Sequence, residues 1–417
     1  MRYFLLIFCL SLPSITAAND APPPALPAAG TNVSDANISQ YPGLLDEAIA
    51  DLVKQGLLSI DVGEHFDILP NSLFDKLSRE NAGKSALDPD SGQIVNYSGG
   101  LPFPGTPDMN DAQAGLKLAW NMRYAYGGDN STVDPFIWEY RDMDSGDTER
   151  TLSFVGKTLR FKHRVAMSPQ PSLAKNPNDV FNAIYLMVKK PFDLRNTQLL
   201  IHRLEDDSAA DQSWMYLSFQ RRVRRLPSGQ TTDAFLGSDI MIEDFLGYNG
   251  RIKDMTWTYK GARNMLAPVY RHNEITSESS SADSEGFQFG NFHGQGNCFP
   301  DVPWQLRELY VLEAIPTWEQ HPLSKRVYYV DAQTHAPLLG LFYDRSGDIW
   351  RVAIAGLSHP DSHLAQNKGS GVAIASLVST IDVQAKHCTT LKMKTMINLD
   401  NEKQNDFSVQ ALRLKGR

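Results

Sequence analysis

The segment SHPDSH concentrates potential metal ligands, because it places His359, Asp361 and His363 within five positions. Imidazole and carboxylate groups at such a spacing bind Zn²⁺ when a further ligand completes the site. The sequence identifies no such further ligand, and a solvated loop explains the same three residues. We therefore predict no metal site, and an enzyme that uses this region stays an alternative.

A second candidate for chemistry is Cys298, which follows His293 in FHGQGNCFPD and could form a Cys–His nucleophile. In an oxidising compartment, however, Cys298 and the distant Cys388 favour one disulfide, which removes the thiol. Two free buried thiols are the alternative. The sequence contains no HExxH, GxSxG or CxxC motif. We predict a Cys298–Cys388 disulfide, no catalytic residue and no cofactor.

The segment FQRRVRRLP holds a basic run, formed by Arg221, Arg222, Arg224 and Arg225. Such a run is typical of nucleic-acid patches, but the whole chain has a net charge of -8 at pH 7, which argues against a nucleic-acid partner. The run has the composition of a strand, so its side chains alternate between two faces. An arginine that points inward needs a carboxylate. We predict ion pairs with acids that follow shortly afterwards, namely Asp239, Glu243 and Asp244.

The N-terminus has the pattern of a secretory signal peptide. Arg2 precedes a short apolar run, and small residues up to Ala18 fit a cleavage site there. Cys9 lies inside the apolar run, so we predict no lipid anchor, and no later segment is as long as a transmembrane helix. We therefore predict an exported protein with a signal peptide over residues 1–18 and a flexible leader over residues 19–40.

Helices and then a long series of strands are predicted to position these groups. Residues 41–96 form a helical part, because LLDEAIADLV has an apolar stripe at helical spacing and a second helix is predicted over residues 72–81. From about Phe136, segments rich in β-branched and aromatic residues alternate with polar turns. The clearest region, residues 326–355, predicts an antiparallel meander of three strands.

Short connections and the absence of a regular βαβ alternation predict a mainly β, antiparallel fold. The strand region exceeds a small sandwich, which favours a single domain over residues 41–417 with one large curved sheet or open barrel. Residues that share a strand face are candidates for lining a ligand cavity, and simple core packing is the alternative. The candidates are Trp120, Trp214, Tyr216, Trp257, Tyr259, Tyr328 and Val330.

An ordered set of motifs over roughly residues 60–400 resembles a known bacterial family. The motifs are SGGLPFPGTPD, AGLKLAWNMRY, WMYLSFQRRVRRLP, GSDIMIEDF and SKRVYYVDAQTHAPLLGLFYDRSGDIWRV. Together they resemble the domain of unknown function 1329 family, within the outer-membrane lipoprotein-sorting (LolA/LolB-like) superfamily. The resemblance implies a half-open antiparallel barrel around an apolar cavity, plugged by helices, in a periplasmic protein of the Gram-negative envelope. It carries over no catalytic residues.

The resemblance favours a soluble periplasmic carrier or chaperone for a lipid or another hydrophobic molecule. It also implies an RND-type inner-membrane exporter and an outer-membrane protein as partners. The missing lipoprotein anchor favours a soluble carrier over a membrane-fixed receptor. Two alternatives stay open: a structural accessory subunit of an envelope complex whose barrel is filled, and an envelope hydrolase.

Overall fold

The computed structural model describes residues 26–227, 231–276 and 282–416. The predicted signal peptide lies outside the described residues. The described α-helices are α1 Glu47–Lys54, α2 Ser72–Glu80, α3 Ala114–Tyr124, α4 Pro360–His363 and α5 Val409–Lys415. In this part of the chain, no helix combines the length and the apolar character needed to cross a bilayer.

The strands of the described ranges follow in chain order. They are β1 Asn32–Val33, β2 Ile60–Asp61, β3 Ala86–Leu87, β4 Ile94–Val95, β5 Asn130–Asp142, β6 Thr148–Arg160, β7 Val180–Lys190, β8 Gln198–Leu204, β9 Gln212–Leu217, β10 Arg222–Leu226, β11 Met255–Ala267, β12 Val269–Tyr270, β13 Phe292–His293, β14 Phe299–Pro300, β15 Gln305–Pro316, β16 Lys325–Asp331, β17 Pro337–Tyr343, β18 Ile349–Ser358, β19 Ile374–Asp382 and β20 His387–Ile397.

One large sheet dominates the fold. Its strands follow the order β10-β9-β8-β7-β6-β5-β20-β19-β18-β17-β16-β15-β11, and β12 pairs with β18 off this path. The order joins two antiparallel meanders, β5 to β10 and β15 to β20, where β5 pairs with β20. Among the described strands the sheet is not closed, and β10 and β11 form its edges. The structure thus confirms the predicted mainly β fold with one large antiparallel sheet.

The sheet curves strongly. Strands β6 and β17 are five steps apart in the sheet order, so in a flat sheet they would lie roughly 24 Å apart. Gly156 of β6 and Gly340 of β17 nevertheless line the same cavity. We call the concave side of the sheet its inner face and the convex side its outer face.

Helix α3 covers the inner face at the β11 end of the sheet. Its side chain Leu118 packs in one buried cluster with Trp257 of β11 and Tyr328 of β16. Gly115 permits this approach, because a Cβ atom at that position would lie 2.5 Å from the carbonyl oxygen of Trp257. The helix therefore fills one end of the concave side, as expected for a plugging helix.

The outer face is covered by both ends of the described chain. Ile49 and Val53 of α1 are buried against strands β15 to β18, and the side chain of Asp46 caps this helix by accepting from Ala48 N. Val33 pairs with Ile60 and is fully buried. Val33 therefore packs on the outer face, although it lies inside the segment predicted as a flexible leader.

The predicted disulfide is confirmed, since Cys298 and Cys388 are bonded and both are fully buried. Cys388 belongs to β20, and Cys298 immediately precedes β14. The carbonyl of Cys298 also accepts a hydrogen bond from Ser379 Oγ of β19 at 2.5 Å. The bond therefore fastens the β13–β14 segment to the outer face of the central strands.

Replacement of both cysteines by alanine is expected to lower the free energy of unfolding by roughly 2–5 kcal/mol. The reason is that the bond spans 90 positions of sequence and restricts the unfolded chain. Urea unfolding of the oxidised protein and of the double variant, each fitted with its own m-value, measures the difference. Equal unfolding free energies for the two proteins would contradict this expectation.

Candidate functional site

The curved sheet encloses an apolar cavity of about 360 Å³ on its inner face, which we call the inner cavity. Its larger side chains include Phe136, Trp138, Leu186, Leu391 and Met393. The volume lies within the range of about 300–1,000 Å³ that is typical of small-molecule sites. The cavity therefore has the size and the character of a binding site for an apolar group.

Small residues on facing strands leave the inner cavity open. Ala353 and Ala355 of β18 and Ala375 of β19 are half-buried, although they lie in central strands of the sheet. Across the cavity, a Cβ atom at Gly156 would lie 3.1 Å from the side chain of Leu186. The space results from these small side chains, since larger ones at the same positions would fill it.

The charged groups at the wall of the inner cavity are neutralised by partners. Lys157 Nζ donates to Glu402 Oε1 at 2.6 Å, and Asp244 accepts from Arg326 at 2.5 Å. Lys157 and Asp244 are the charged side chains among the described residues of the lining. The wall therefore presents mainly hydrocarbon to a ligand.

Residues 235–247, which we call the cover loop, close one side of the inner cavity. Ile240, Phe245 and Leu246 of this loop contribute to the cavity lining. Leu246 is 66% exposed and has a φ of 55°, a conformation that is uncommon for a bulky residue. At Gly247 a Cβ atom would lie 2.3 Å from Pro337 Cγ, so glycine allows the loop to pass close to β17.

A buried ion-pair network fastens the cover loop to β16. Arg326 is fully buried, and its guanidinium donates to Glu243 Oε2 at 2.6 Å and to Asp244 Oδ1 at 2.5 Å. His321 Nε2 donates to Glu243 Oε2 at 2.9 Å. Burial raises the pKa of the Glu243 carboxyl, but Arg326 and His321 outweigh this effect and hold the pKa below its ordinary value.

A second anchor fastens the cover loop to β20 through Asp239. Its carboxylate accepts from His387 Nδ1 at 2.8 Å and from Thr389 Oγ1 at 2.7 Å. His387 Nε2 also donates to Glu149 Oε2 at 3.2 Å. Burial lowers the pKa of His387, but Asp239 and Glu149 outweigh it, and the pKa lies above its ordinary value.

The predicted ion pairs of the basic run are wrong. Asp239, Glu243 and Asp244 bind His387 and Arg326 instead. The basic run lies at the edge of the sheet, and all four of its arginines are exposed: Arg221, Arg222, Arg224 and Arg225. Arg224 Nε donates to Gln220 Oε1 at 3.0 Å. No ion pair joins these arginines to a described acid, because water solvates them at the edge.

A second cavity of about 440 Å³ adjoins the inner cavity, and we call it the vestibule. The two share wall residues, among them Thr158, Leu246 and Pro337. Unlike the inner cavity, the vestibule is lined by several arginines and by His335. Burial lowers the pKa of His335 to about 4, so this histidine is uncharged at neutral pH. The concave side of the sheet is therefore apolar in one part and polar in the next.

The structure divides the predicted cavity residues between the two faces of the sheet. A packed cluster with α3 holds five of them: Trp120, Trp257, Tyr259, Tyr328 and Val330. Of these five, Tyr328 also lines the inner cavity. Trp214 and Tyr216 lie on the outer face, where Tyr216 packs with Leu412 of α5 and donates to Gly416 O at 2.7 Å. Trp214 and Tyr216 are therefore placed away from the cavity for which they were predicted. Trp120, Trp257, Tyr259 and Val330 pack in the cluster with α3 and are not among the described residues of the cavity lining either.

Sequence reasoning missed the alanines and glycines that create the inner cavity. The available signal was the alternation of small residues in RVAIAGL, residues 351–357, because every second side chain faces one side of a strand. The predicted candidates were mostly aromatic, but large side chains fill space, whereas small ones leave it open.

The histidines that could have supported other chemistry have structural partners. His359 Nδ1 accepts from Asp361 N at 3.2 Å, and His363 Nε2 accepts from Thr395 N at 3.1 Å. Within residues 26–227, 231–276 and 282–416, no group of three or more His, Cys, Asp and Glu residues could hold a metal ion. Cys298 is in the disulfide and is therefore not a free nucleophile.

The chain is similar to known proteins over most of its length. A family model described as protein of unknown function (DUF1329) matches residues 32–413. An uncharacterized protein of Pseudomonas aeruginosa is 23% identical over 361 residues, which cover 81% of this chain and 70% of that protein. A crystal structure of a DUF1329 family protein from Desulfovibrio piger has a TM-score of 0.49 at 16% identity, covering 72% of this chain and 98% of that one. A LolA superfamily protein from Nitrosomonas europaea has a TM-score of 0.40 at 12% identity, with the same coverage of 72% and 98%.

The His387 anchor is expected to make stability depend on pH. Because the folded-state pKa of His387 is raised, its contribution is fully present below the unfolded pKa near 6.5 and is lost as the pH rises through the folded pKa. The variant His387→Gln should therefore lose more stability at pH 5.5 than at pH 8.5. Urea unfolding at both pH values measures this, with His65→Gln at an exposed position as the control. A loss that is equal at the two pH values would contradict the expectation.

Proposed function

The chain belongs to the family of unknown function DUF1329, and we propose that it is a periplasmic carrier for a lipid or another hydrophobic molecule. The observation that carries this proposal is the inner cavity, which is apolar and which the surrounding side chains leave open. Affinity would come from the burial of apolar surface, at about 25 cal/mol per Å² before the costs of ordering the ligand.

The open space on the concave side also supports a carrier over a structural subunit. A sheet that served only as a scaffold would gain stability if its concave side were filled, because an empty apolar space forfeits dispersion contacts. Ala353, Ala355 and Ala375 instead keep the space open. This arrangement favours a carrier over the accessory subunit with a filled barrel.

Entry to the inner cavity is expected to involve the vestibule and the cover loop. Leu246 lines both cavities and is exposed, so a change in its position would alter the opening between them. The Arg326 and His387 anchors hold the loop on two sides. Release to an acceptor then requires a partner that binds the open conformation better than the closed one.

The location and the partners in this proposal come from the sequence. The N-terminal pattern of a signal peptide supports export to the periplasm. The family resemblance supports an RND-type exporter in the inner membrane and an outer-membrane protein as the donor and the acceptor of the cargo. We propose no covalent chemistry.

Filling the inner cavity is expected to abolish binding of a fluorescent fatty-acid probe. In the combined variant Ala355→Phe and Ala375→Phe, two phenyl rings would occupy the space between the central strands. Ala210→Phe, at an exposed position between β8 and β9, is the matched control and should bind like the wild type. Thermal unfolding verifies that all three proteins are folded.

The same proposal requires a ligand in the native protein. Mass spectrometry of the wild type purified from the periplasm should detect a co-purified lipid, and the filled variant should lack it. A wild-type protein that contains no extractable lipid and binds no fatty-acid probe would rule out the carrier function.

A further inference from the structure

Arg160, at the end of β6, is a buried cation without a carboxylate partner. The residue is 7% exposed, and its Nη2 donates to Ala125 O at 3.0 Å. Its Nη1 is buried and has no hydrogen-bond partner among the described residues. A buried guanidinium in this state is unfavourable, because it has lost water and gained no anion. The arrangement therefore lacks one anionic group.

The guanidinium of Arg160 lies at the wall of the vestibule. Its central carbon is 5.8 Å from the ring centre of Tyr126 and 5.5 Å from that of Phe181. Both rings and Ala125 line the vestibule, as does Arg160 itself. The two rings stabilise the cation from the side, but they offer no oxygen acceptor in the plane of the guanidinium. An anion in the vestibule would supply that acceptor.

The other arginines of the vestibule already have carboxylates. Their pairs are Arg79 with Asp75, Arg123 with Asp207, and Arg203 with Asp211. Arg160 therefore differs from every other arginine of this described lining in having no acidic partner.

Two acids in the region of Arg160 are engaged elsewhere. The Asp129 carboxylate accepts from the backbone N–H groups of Val165, Ala166 and Met167. Glu205 Oε1 accepts from His163 Nε2 at 2.7 Å and from Tyr124 Oη at 3.3 Å. Neither forms an ion pair with Arg160, and although Glu205 Oε2 is also buried without a partner, Arg160 Nη1 has no acceptor among the described residues.

The inner face of β6 leads directly from the apolar cavity to this cation. Phe154, Gly156, Thr158 and Arg160 occupy alternate positions of the strand, so they share one face. Gly156 and Thr158 line the inner cavity, whereas Thr158 and Arg160 line the vestibule. Alternate residues of a strand are about 6.6 Å apart. One molecule could therefore contact both the apolar wall and the cation.

We infer that the cargo is an amphipathic anion, whose hydrocarbon chain occupies the inner cavity and whose carboxylate or phosphate binds Arg160. This inference rests on the proposed carrier function and specifies its ligand class. A carboxylate or a phosphate would accept two parallel hydrogen bonds from the guanidinium.

Three single-chain probes of equal chain length test the inference: palmitate, hexadecanol and palmitoyl lysophosphatidate. Competition against a fluorescent probe measures their affinities for the wild type, for Arg160→Met and for the control variant Arg345→Met. The wild type should prefer the anions to hexadecanol by at least about tenfold, as expected for a charged hydrogen bond. Arg160→Met should remove this preference and leave hexadecanol binding within about threefold. Arg345, which is exposed and lies outside both cavity linings, should be dispensable.

The outcomes separate the two proposals. If the wild type binds hexadecanol and the anions equally, the inferred anion site is wrong and the carrier function stands. If it binds none of the three probes, the carrier function itself fails. The comparison within the wild type does not depend on the folding of any variant. Preference for palmitate or for lysophosphatidate distinguishes a fatty acid from a lipid phosphate as the source of the anion.

Two exposed phenylalanines form a second, independent feature, which lies at the end of the strands opposite to Arg160. Phe192, in the turn between β7 and β8, is 87% exposed, and Phe219, in the turn between β9 and β10, is 74% exposed. The hydroxyl groups of Thr197 and Ser218 are 3.2 Å apart and connect the two turns. Both rings therefore lie at one corner of the sheet, which we call the corner patch.

The corner patch is basic in an acidic protein. Exposed cations lie in the same two turns and in the adjoining ends of β7 and β10: Lys189, Lys190, Arg195, Arg221 and Arg222. Asp193 is the one acid in these two turns, so the corner patch is basic. The whole chain, in contrast, has a net charge of -8. Arginines on an edge strand protect it against pairing with another sheet. That role does not explain two exposed aromatic rings, which would promote association.

We propose that the corner patch docks on an anionic phospholipid surface. The rings would enter the boundary between headgroups and acyl chains, and the cations would contact the phosphates.

Co-sedimentation with phosphatidylcholine vesicles, with and without phosphatidylglycerol, tests the docking of the corner patch. Binding should require phosphatidylglycerol and weaken with added salt. Phe192→Ser with Phe219→Ser should weaken it by at least about tenfold, whereas Leu69→Ser, at an exposed position elsewhere, should not. Equal binding to neutral vesicles, or capture by an acidic protein with no vesicle binding, would overturn the proposal.

Discussion

The pairing of β5 with β20 holds the two halves of the molecule together. Its ladder runs from Ser131 opposite Ile397 to Asp142 opposite His387, and it joins one meander to the other. Without this ladder there would be two separate sheets with no shared concave side. Strand β20 also carries the disulfide through Cys388 on the outer face and the cover-loop anchor through His387. The two meanders, the β13–β14 segment and the cover loop are therefore all attached to β20.

The concave side changes from hydrocarbon to charge along its length, and two different physical conditions produce this change. In the middle of the sheet, small side chains at positions such as Ala355 leave a space with a mainly apolar wall. At the ends of β6 and β8, long cationic side chains are buried, and burial requires partners for them. Arg203 has its partner in Asp211, whereas Arg160 does not have one within the described chain. The same sheet thus separates an apolar compartment from an electrostatic one.

Much of the fold could be predicted from local patterns in the sequence. The meander predicted over residues 326–355 corresponds to β16, β17 and β18, because short strands and polar turns leave few other arrangements. The disulfide followed from two distant cysteines. The pairing of β5 with β20 could not be predicted, since no local signal specifies which strands meet across some 250 residues of sequence.

The site was less predictable than the fold for a physical reason. Alternation correctly assigns Trp214 and Tyr216 to one face of β9, but both faces of this sheet are covered and apolar. The alternation of side chains along a strand therefore identifies residues that share a face, but it does not identify which face encloses the cavity. The ion pair between Arg326 and Asp244 could not be predicted either, because the two residues lie 82 positions apart. The basic run is nearer to Asp244 in sequence and offered a simpler pairing.

The two free edges of the sheet have a mechanical consequence. In a closed barrel, the number of strands and their stagger determine the diameter, so the interior has one size. Here β10 and β11 end the sheet without pairing to each other. Changes in twist and coiling can therefore be distributed over a dozen strand junctions with every ladder intact. The interior volume therefore depends on the curvature of the backbone, which can change without any hydrogen bond being broken.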